Sequence, residues 1–405
     1  MINIPAHSDF SIHNLPFGIF STKGSAPRVG VAIGEHVLDL KAVVDLGFLN
    51  ISPEVVAQPS LNAFIALGKQ TTKTVRQVLQ QWLQQEDSLL YDHPNLFYLQ
   101  KEVKMHLPVE VGDYTDFYSS IEHATNVGSM FRDPNNALLP NWKHLPVGYH
   151  GRASSIILSG TDIYRPKGQL LPEGAAQPVF QPTAKLDFEL EMAFIVGKEN
   201  PLGTTISTAQ AEEYIFGMVL FNDWSARDLQ KWEYVPLGPF LAKSFASSIS
   251  PWVVPLEALE PFRVNGPKQV PAVLPNLQFE GKKNYAIELT VDLQTPDGIT
   301  HPLVQSNYRY MYWNMVQQLA HHSSNGCNIR VGDMMASGTI SGKTKNSFGS
   351  LLELSWGGKR PLKLKNGMER CFLEDGDRIS MHAFAEKEGK RIGFGEVTTK
   401  IYPAL

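Results

Sequence analysis

The sequence predicts a mostly β protein with some helix, of the α+β class, built in two parts. Three observations support this prediction. The chain has 405 residues, which is long for a single domain. Many short apolar runs lie between turns rich in proline and glycine, a spacing typical of mixed β-sheets folded on themselves. The first hundred residues contain both a hairpin pattern and a helical pattern, whereas the remainder contains few helical patterns.

The first part is predicted to span residues 1–107 and to form a small β-domain with helices. Apolar residues alternate with other residues from Arg28 to Ile33, and Gly34-Glu35 then turns the chain into a second strand, which is a hairpin signal. From Ser60 to about Gln85 the apolar residues recur at intervals of three and four, which predicts helix. Ser60 stands where a helix cap is expected, and Gly68 is the predicted break.

The second part, residues 108–405, is predicted to be rich in strands. A capping-box spacing at Ser207–Gln210 predicts a short helix as far as Phe216, and a second helix is predicted from Tyr312 to His321. The segment Pro166–Pro182, rich in Gly, Pro and Gln, is predicted to be a surface loop. The predicted strands are Ser155–Leu158, Phe188–Val196, Met218–Asn222, Ala286–Leu293, Arg378–Phe384 and Arg391–Ile401.

Composition excludes several classes of protein. The net charge of -4 argues against a nucleic-acid binder, and no apolar run approaches the roughly 18 residues of a membrane span. The N-terminus lacks a basic stretch followed by an apolar one, so no signal peptide is expected. The two cysteines, Cys327 and Cys371, are too few for a disulfide framework or a Cys-rich zinc site. These features favour a cytoplasmic enzyme or small-molecule binder.

A polar segment, residues 113–128, combines an acid and a base within eight residues. Asp116 could hold a hard metal ion, and His123 could move a proton near neutral pH. The alternative is that both are turn-capping or surface residues of a polar loop.

Three further carboxylates lie at strand ends. Glu189 and Glu191 share one face of a predicted strand whose same face continues as Ala193 and Ile195, so they need a cation or a proton unless that face is solvated. Asp223 ends another apolar strand, where it could equally cap the helix predicted to begin at Ser225. With Asp116 they make an all-oxygen set, which selects Mg²⁺, Ca²⁺ or Mn²⁺.

Cationic and amide side chains follow these strands. The negative charge of the four carboxylates requires a nearby cation, for which Lys243 is a candidate, although it could be an ordinary surface lysine. Arg227 and Gln230 lie three residues apart on the predicted helix and could together donate hydrogen bonds to an oxygen-rich ligand, or each could be a surface residue.

Two C-terminal segments complete the candidate site. The loop Val331–Gly342 is rich in glycine and hydroxyl residues, and such loops bring backbone groups close to ligands or form plain hairpin turns. Glu353 stands among apolar residues, where it could orient His123 by accepting a ring N–H, or could pair with an arginine.

Several long motifs, taken together, resemble the fumarylacetoacetate hydrolase family, and the likeness covers essentially the whole chain. The matching segments are residues 113–128, 137–142 (ALLPNW), 145–155 (LPVGYHGRASS), 189–192 (ELEM), 222–228 (NDWSARD), 232–240 (WEYVPLGPF), 337–342, 391–395 and 403–405. Such long ungapped matches are more specific than any single motif.

The resemblance implies a fold and an activity. It implies a homodimer with an SH3-like N-terminal barrel and a β-roll catalytic domain. It also implies metal-dependent hydrolysis of a carbon–carbon bond, in which 4-fumarylacetoacetate yields fumarate and acetoacetate, the last step of tyrosine and phenylalanine breakdown. The expected cofactor is Mg²⁺ or Ca²⁺, and the expected substrate is a small β-diketo acid.

The resemblance also implies residue roles. His123, oriented by Glu353, would activate water, while Arg227, Gln230 and Lys243 would stabilise the oxyanion. One departure from the family pattern follows Lys243: Ala246 and Ser247 stand where we expect Gly-Thr. The metal ligands would be Asp116, Glu189, Glu191 and Asp223, with Lys243 and Ser247 as secondary contacts, and the substrate contacts would be Tyr118, Arg132, Tyr149, Gln230, Tyr234 and Thr339.

Two alternatives stay open on sequence grounds. The first is another activity of the same superfamily, an acylpyruvate hydrolase or an oxo-acid isomerase or decarboxylase, which would share the carboxylate site. The second is a non-catalytic binding module that keeps the carboxylates for a structural metal. His123 and Glu353 discriminate against the second, because a binding module needs no general base.

Overall fold

The computed structural model describes Ile2 and residues 4–405; Met1 and Asn3, which fall in the predicted N-terminal part, lie outside the described residues. The N-terminal part contains a five-stranded antiparallel sheet. Its predicted hairpin is confirmed, since Ile33 pairs with His36 across the Gly34-Glu35 turn. In spatial order the strands are Phe97–Leu99, His36–Asp39, Arg28–Ile33, Phe17–Ser21 and Lys104–His106.

The second part is organised around an eight-stranded mixed sheet, here called the central sheet. Its middle strands are antiparallel, and parallel pairs occur toward both edges. In spatial order its strands are Gly148–His150, Tyr114–Phe117, Met334–Ala336, Leu190–Val196, Ile215–Asp223, Ser247–Ile249 and Ile156–Leu158, with Val254–Pro255 also pairing with Ile215–Asp223.

A second five-stranded sheet packs against the central sheet. In spatial order its strands are Thr300–Asn307, Glu288–Gln294, Arg378–Lys387, Lys390–Tyr402 and Ile163–Tyr164. The remaining strands form two-stranded ribbons, which are Lys167–Leu170 with Val179–Pro182, Leu186–Asp187 with Ser225–Ala226, Arg263–Val264 with Asn284–Tyr285, and Leu362–Lys363 with Glu369–Arg370. The α+β class predicted from the sequence is confirmed.

The helices are few and mostly short. The break predicted at Gly68 is present, with φ of +88°. Within the described residues, no helix is both long and apolar enough to cross a membrane. The α-helices are Leu40–Asp45, Pro53–Val56, Asn62–Ile65, Lys69–Gln84, Ile121–Phe131, Arg227–Glu233, Met315–Ser323 and Leu351–Leu354.

Two sequence predictions about segments were wrong. Only a 3₁₀ turn, Ala211–Tyr214, forms where a helix was expected after Ser207, because the apolar residues from Ile215 onward pair along their whole length in the central sheet. The segment Pro166–Pro182 is a two-stranded ribbon rather than a plain loop, since Lys167–Leu170 and Val179–Pro182 exchange backbone hydrogen bonds.

Three predicted helix starts were also wrong. The second-part helix begins at Met315 rather than Tyr312, because Asn314 closes a capping box with Gln317. The helix after Asp223 begins at Arg227 rather than Ser225, which lies in a short strand. Leu61 rather than Ser60 occupies the N-cap of Asn62–Ile65, and no side chain caps it.

The central sheet is buried on both faces. From the strand Leu190–Val196, Leu190 and Met192 enter the larger core, which the second five-stranded sheet completes. Ala193 and Ile195 of the same strand enter a second core that is shared with the N-terminal part. The N-terminal part therefore covers one face of the central sheet, and side chains on the inner strands Leu190–Val196 and Ile215–Asp223 are buried throughout.

Candidate active site

The register of the central sheet brings the four predicted carboxylates to one end of the sheet. Asp116 pairs with Ala336 near the ends of two parallel strands, and the strand Leu190–Val196, which is antiparallel to Met334–Ala336, begins at the same edge. Glu191 pairs with Phe221, so Asp223 ends its strand beside the start of Leu190–Val196. Strands of both directions therefore end or begin at one edge of the sheet, which explains how residues far apart in sequence converge.

The four carboxylates form one compact cluster. Asp116, Glu189, Glu191 and Asp223 each offer an oxygen, and these oxygens all lie within 4.8 Å of one another. All four side chains are buried. Asp223 does not cap the following helix, because its oxygens accept hydrogen bonds from Tyr149, Lys243 and Ser247. Like charges held this close in a buried site require a cation or protons.

Two cationic side chains contact the cluster. Lys243 donates to Glu189 and, at 2.6 Å, to Asp223. Arg227 approaches Glu189 from the other side, with Nη1 2.5 Å from Oε1. Both cations are buried, so neither is the surface residue that the sequence left open. These two positive charges do not neutralise the four carboxylates, and Arg227 also pairs with Asp187, so the buried cluster keeps an excess of negative charge that a divalent cation would offset.

The pKa values divide the cluster into two kinds of carboxylate. Burial alone would raise the pKa of Glu189, but Arg227 and Lys243 lower it to about 2. Burial raises the pKa of Asp116 and of Glu191 well above the usual range, and the neighbouring charge of Asp223 adds to both shifts. The cationic side chains of the protein therefore do not offset the cost of burying Asp116 and Glu191 as carboxylates.

The donor set fits a hard divalent cation. All four groups are carboxylates, and Glu191 Oε1 is buried without a hydrogen-bond partner among the described residues. The backbone N–H of Gly338, which follows the strand Met334–Ala336, donates to Asp116 at 3.1 Å and to Glu191 at 2.9 Å. The loop predicted to approach a ligand with its backbone therefore reaches the cluster.

His123 and Glu353 form a second buried group. Glu353 Oε2 lies 2.7 Å from His123 Nδ1, which is the contact that the sequence analysis expected. Asn126 donates to the other oxygen at 2.8 Å, and Ser341 and Ser350 donate to Oε2 at 2.8 and 3.0 Å. With Nδ1 donating to Glu353, the Nε2 atom of the imidazole is the one that can accept a proton.

Three of the other predicted site residues contact the carboxylate cluster or the His123–Glu353 pair. The Tyr118 ring lies edge-on to His123, with 5.3 Å between the ring centroids. Tyr149 donates its hydroxyl to Asp223 at 2.7 Å, so it contacts a predicted metal ligand. Ser247 likewise donates to Asp223, at 3.0 Å, and Ala246 beside it is buried.

The remaining four predicted substrate contacts lie around the cluster and differ in exposure. Arg132 is exposed and donates to the Ala137 carbonyl, at 3.1 Å from Nε and 2.7 Å from Nη2. Gln230 is half-buried one turn after Arg227, and Thr339 is buried beside Gly338. Tyr234 is about half exposed at 51%, on a surface segment beyond the same helix as Gln230.

Sequence reasoning missed several polar residues of the site. Asn126, Ser341 and Ser350 hold Glu353. Asn126 lies in the polar segment 113–128 and Ser341 in the loop Val331–Gly342, but no pattern in the sequence indicated Ser350. Asp187 holds Arg227, with 2.9 Å between Oδ2 and Nε. Its signal was present, because Asp187, Glu189 and Glu191 follow the same period of two.

Comparisons with known proteins agree along the whole chain. Residues 13–108 match the family description "Fumarylacetoacetase N-terminal", and residues 114–402 match "Fumarylacetoacetate (FAA) hydrolase C-terminal". The chain is 53% identical to human fumarylacetoacetase and 49% identical to that of Arabidopsis thaliana. These alignments cover 100% of this chain and 99% and 98% of the two relatives.

Solved structures show the same fold at low sequence identity. A fumarylacetoacetate hydrolase from Exiguobacterium antarcticum superposes with a TM-score of 0.55 at 18% identity, covering 96% of this chain and 99% of that one. A maleylpyruvate hydrolase from a Sphingobium species superposes with a TM-score of 0.53 at 13% identity, covering 96% and 100%.

Proposed function

The chain belongs to the fumarylacetoacetase family, and from that membership we propose how its buried site works. The reaction is the hydrolysis of 4-fumarylacetoacetate at a carbon–carbon bond, which gives fumarate and acetoacetate. The observation that carries this function is 53% identity over the full length to a fumarylacetoacetase, together with a compact buried cluster of carboxylates.

The cluster of Asp116, Glu189, Glu191 and Asp223 would hold one divalent cation, Mg²⁺ or Ca²⁺, with Lys243 and Ser247 as secondary contacts. Its all-carboxylate composition and its excess of buried negative charge support this assignment. When bound, the cation acts as a Lewis acid that stabilises the acetoacetate enolate. Lys243 and Arg227 meanwhile keep Glu189 ionised by lowering its pKa.

His123 is the general base in this proposal. Its Nε2 takes a proton from water as the water oxygen attacks the ketone carbon of the fumaryl group, which becomes a carboxyl carbon of fumarate. Glu353 fixes the tautomer and stabilises the imidazolium, as the buried 2.7 Å contact supports. The tetrahedral intermediate then collapses, the carbon–carbon bond breaks, and the proton returns to the carbon of the leaving enolate. Atoms balance, with one water consumed.

Arg227, Gln230 and Lys243 would stabilise the oxyanion that forms on the attacked carbonyl oxygen. Preorganised donors in a buried site stabilise a developing charge without having to reorient during the reaction. Arg227 and Lys243 are buried and already oriented by carboxylates, which supports this role. The substrate contacts would be Tyr118, Arg132, Tyr149, Gln230, Tyr234 and Thr339.

We also propose a homodimer that works in the cytoplasm and divides near residue 107 into its two domains. An exposed apolar segment supports the dimer, since Val235 is 67%, Leu237 96% and Phe240 69% exposed. Cys327 and Cys371 are free, as in a reducing compartment. Light scattering at several protein concentrations measures the oligomeric state.

The function is tested by following the absorbance of freshly prepared fumarylacetoacetate with the purified protein, with EDTA or with added Mg²⁺ or Ca²⁺. We expect metal-dependent release of fumarate and acetoacetate. Activity on an acylpyruvate but none on fumarylacetoacetate would overturn the substrate. No activity on either would favour the binding-module alternative.

A further inference from the structure

Asp187 is a fully buried carboxylate beside the site, and its contacts lead to residues of the proposed machinery. It lies in the short strand Leu186–Asp187, which pairs with Ser225–Ala226 immediately before the helix that begins at Arg227. Its Oδ2 accepts from Arg227 Nε at 2.9 Å. Asp187 is not itself a member of the compact metal-binding cluster.

Asp187 determines which part of the Arg227 guanidinium remains available. Nε is held by Asp187, and Nη1 lies 2.5 Å from Glu189. Nη2 is buried and has no hydrogen-bond partner among the described residues. A guanidinium held along two directions has a fixed plane, so Nη2, which has no partner among the described residues, is oriented and free to donate to a ligand.

The same carboxylate holds the helix that carries Glu353. Asp187 Oδ1 accepts from the backbone N–H of Leu351 at 2.8 Å, and Oδ2 accepts from that of Leu352 at 2.9 Å. These are the first two residues of the helix Leu351–Leu354. Glu353 is the next residue, and it holds His123. One buried side chain therefore bridges the oxyanion donor and the general base.

We propose that Asp187 is a positioning residue, which fixes Arg227 relative to the His123–Glu353 pair so that Nη2 meets the oxyanion. The inference rests on the proposed function and adds a residue to it. A bidentate carboxylate suits this task, because a neutral amide can accept through only one of its two polar atoms. Its loss is therefore expected to weaken binding of the transition state more than binding of the substrate.

The test is Asp187→Asn, which keeps the shape of the side chain. Two inhibitors are compared: a planar β-diketo acid resembling the substrate, and a phosphinic acid with an anionic tetrahedral centre in place of the attacked carbon. We expect kcat to fall about 10- to 100-fold and the Ki of the phosphinic acid to rise by a similar factor, as for loss of one oxyanion donor. The Ki of the planar acid should change less than about 3-fold. Inhibition constants do not depend on the fraction of active protein.

Asp377→Asn is a matched control. Asp377 is also fully buried, accepts from Arg370 Nε and Nη2 at 3.0 Å, and accepts from the backbone N–H of Glu374 at 2.9 Å. It joins an arginine to a backbone turn outside the site. Its loss should therefore lower the melting temperature without changing the Ki of one inhibitor more than the Ki of the other.

The proposal is overturned if Asp187→Asn changes the two inhibition constants equally, or no more than Asp377→Asn does. It is also overturned if Asp187→Asn reduces kcat by the same factor in an Arg227→Lys background as in the wild type. Positioning through Arg227 requires the effects of the two substitutions to be non-additive. If Asp187→Asn does not fold, Asp187→Glu, which keeps the charge and displaces the oxygens, is measured in the same way. Absence of turnover in the wild-type protein would instead overturn the proposed function.

Discussion

Glu353 shows how much of the site depends on one side chain. It accepts hydrogen bonds from the ring of His123 and from Asn126, Ser341 and Ser350. Burial would raise its pKa, but the charge of His123 and these hydrogen bonds lower it below 4.5 overall. The ionised carboxylate is therefore a source of stability as well as an orienting group for the base.

Glu353→Gln should reduce kcat about 100-fold or more, because the amide can no longer stabilise the imidazolium. Steady-state kinetics at saturating metal measures the loss. Asp377→Asn, also a buried acid changed to its amide, is the control. A variant within about 3-fold of wild-type kcat would contradict the orienting role.

The stability of the same variant should depend on pH. A carboxyl whose folded pKa is lowered contributes stability that is fully present above the unfolded pKa and is lost as pH falls through the folded pKa. The deficit of Glu353→Gln in the free energy of unfolding should therefore be largest above about pH 5 and should narrow below pH 4.5. Urea unfolding at several pH values measures it, and a deficit that grows toward acid would contradict the assignment.

At the scale of elements, the turn at Gly338, which follows the strand Met334–Ala336, places a backbone N–H against the carboxylate cluster. Its φ is +77°, and a Cβ there would lie 2.3 Å from the carbonyl oxygen of Phe117. Its N–H donates to both Asp116 and Glu191. The turn therefore requires glycine for its backbone conformation and for the close approach of a neighbouring strand.

Gly338→Ala should destabilise the protein by about 2 kcal/mol or more and weaken metal binding, because the backbone must move away from Phe117. Calorimetric metal titration and urea unfolding measure the two effects. Gly367→Ala is the matched control, since Gly367 has φ of +86° but a Cβ added there would meet no atom within 4 Å. Equal effects of the two substitutions would show that backbone strain alone matters.

Local patterns predicted the elements where a single periodicity dominates. The alternation around Gly34 predicted a hairpin correctly, and Gly68 predicted a helix break. The strand predicted from Phe188 to Val196 is present but begins at Leu190. The capping-box spacing at Ser207 failed, because the competing strand Ile215–Asp223 pairs with three other strands and so removes the residues a helix would need. Long-range pairing overrides a local cap signal.

At the scale of the whole molecule, the carboxylate cluster links metal binding to folding. Its members come from residues 116 to 223, and the backbone N–H of Gly338, from the C-terminal half, donates to two of them. Spacing in the sequence suggested each carboxylate separately, but their convergence depends on sheet register. The residue types grouped them as one all-oxygen set, and the family resemblance implied that they are ligands of one ion. No pattern in the sequence indicated that Asp187 joins Arg227 to the helix of Glu353.

Metal removal should therefore lower the melting temperature, and added Mg²⁺ or Ca²⁺ should restore it. A ligand at about 100 times its Kd stabilises the folded state by about 2.7 kcal/mol. The metal-dependent rise in melting temperature should be larger at pH 8 than at pH 6. Burial raises the pKa of Asp116 and of Glu191, so the cation competes with protons for these carboxylates, and that competition weakens as pH rises. Scanning calorimetry with EDTA and with metal measures this.

Glu191→Gln distinguishes a metal site from a merely acidic cluster. The variant should lose the metal-dependent rise in melting temperature. Its melting temperature in EDTA should equal or exceed that of the wild type, because a neutral amide replaces a buried carboxyl group that lies among other carboxylates and has one oxygen without a hydrogen-bond partner among the described residues. A metal-dependent gain of wild-type size in this variant would contradict the ligand assignment.

The most direct test of a hydrolytic site with separate metal and base groups is to measure metal affinity and fumarylacetoacetate turnover on one preparation of His123→Ala. We predict a wild-type metal stoichiometry and affinity with kcat reduced about 100- to 10,000-fold. Turnover close to wild type would contradict the assignment of His123 as base, and loss of metal binding together with turnover would contradict the separation of the two groups.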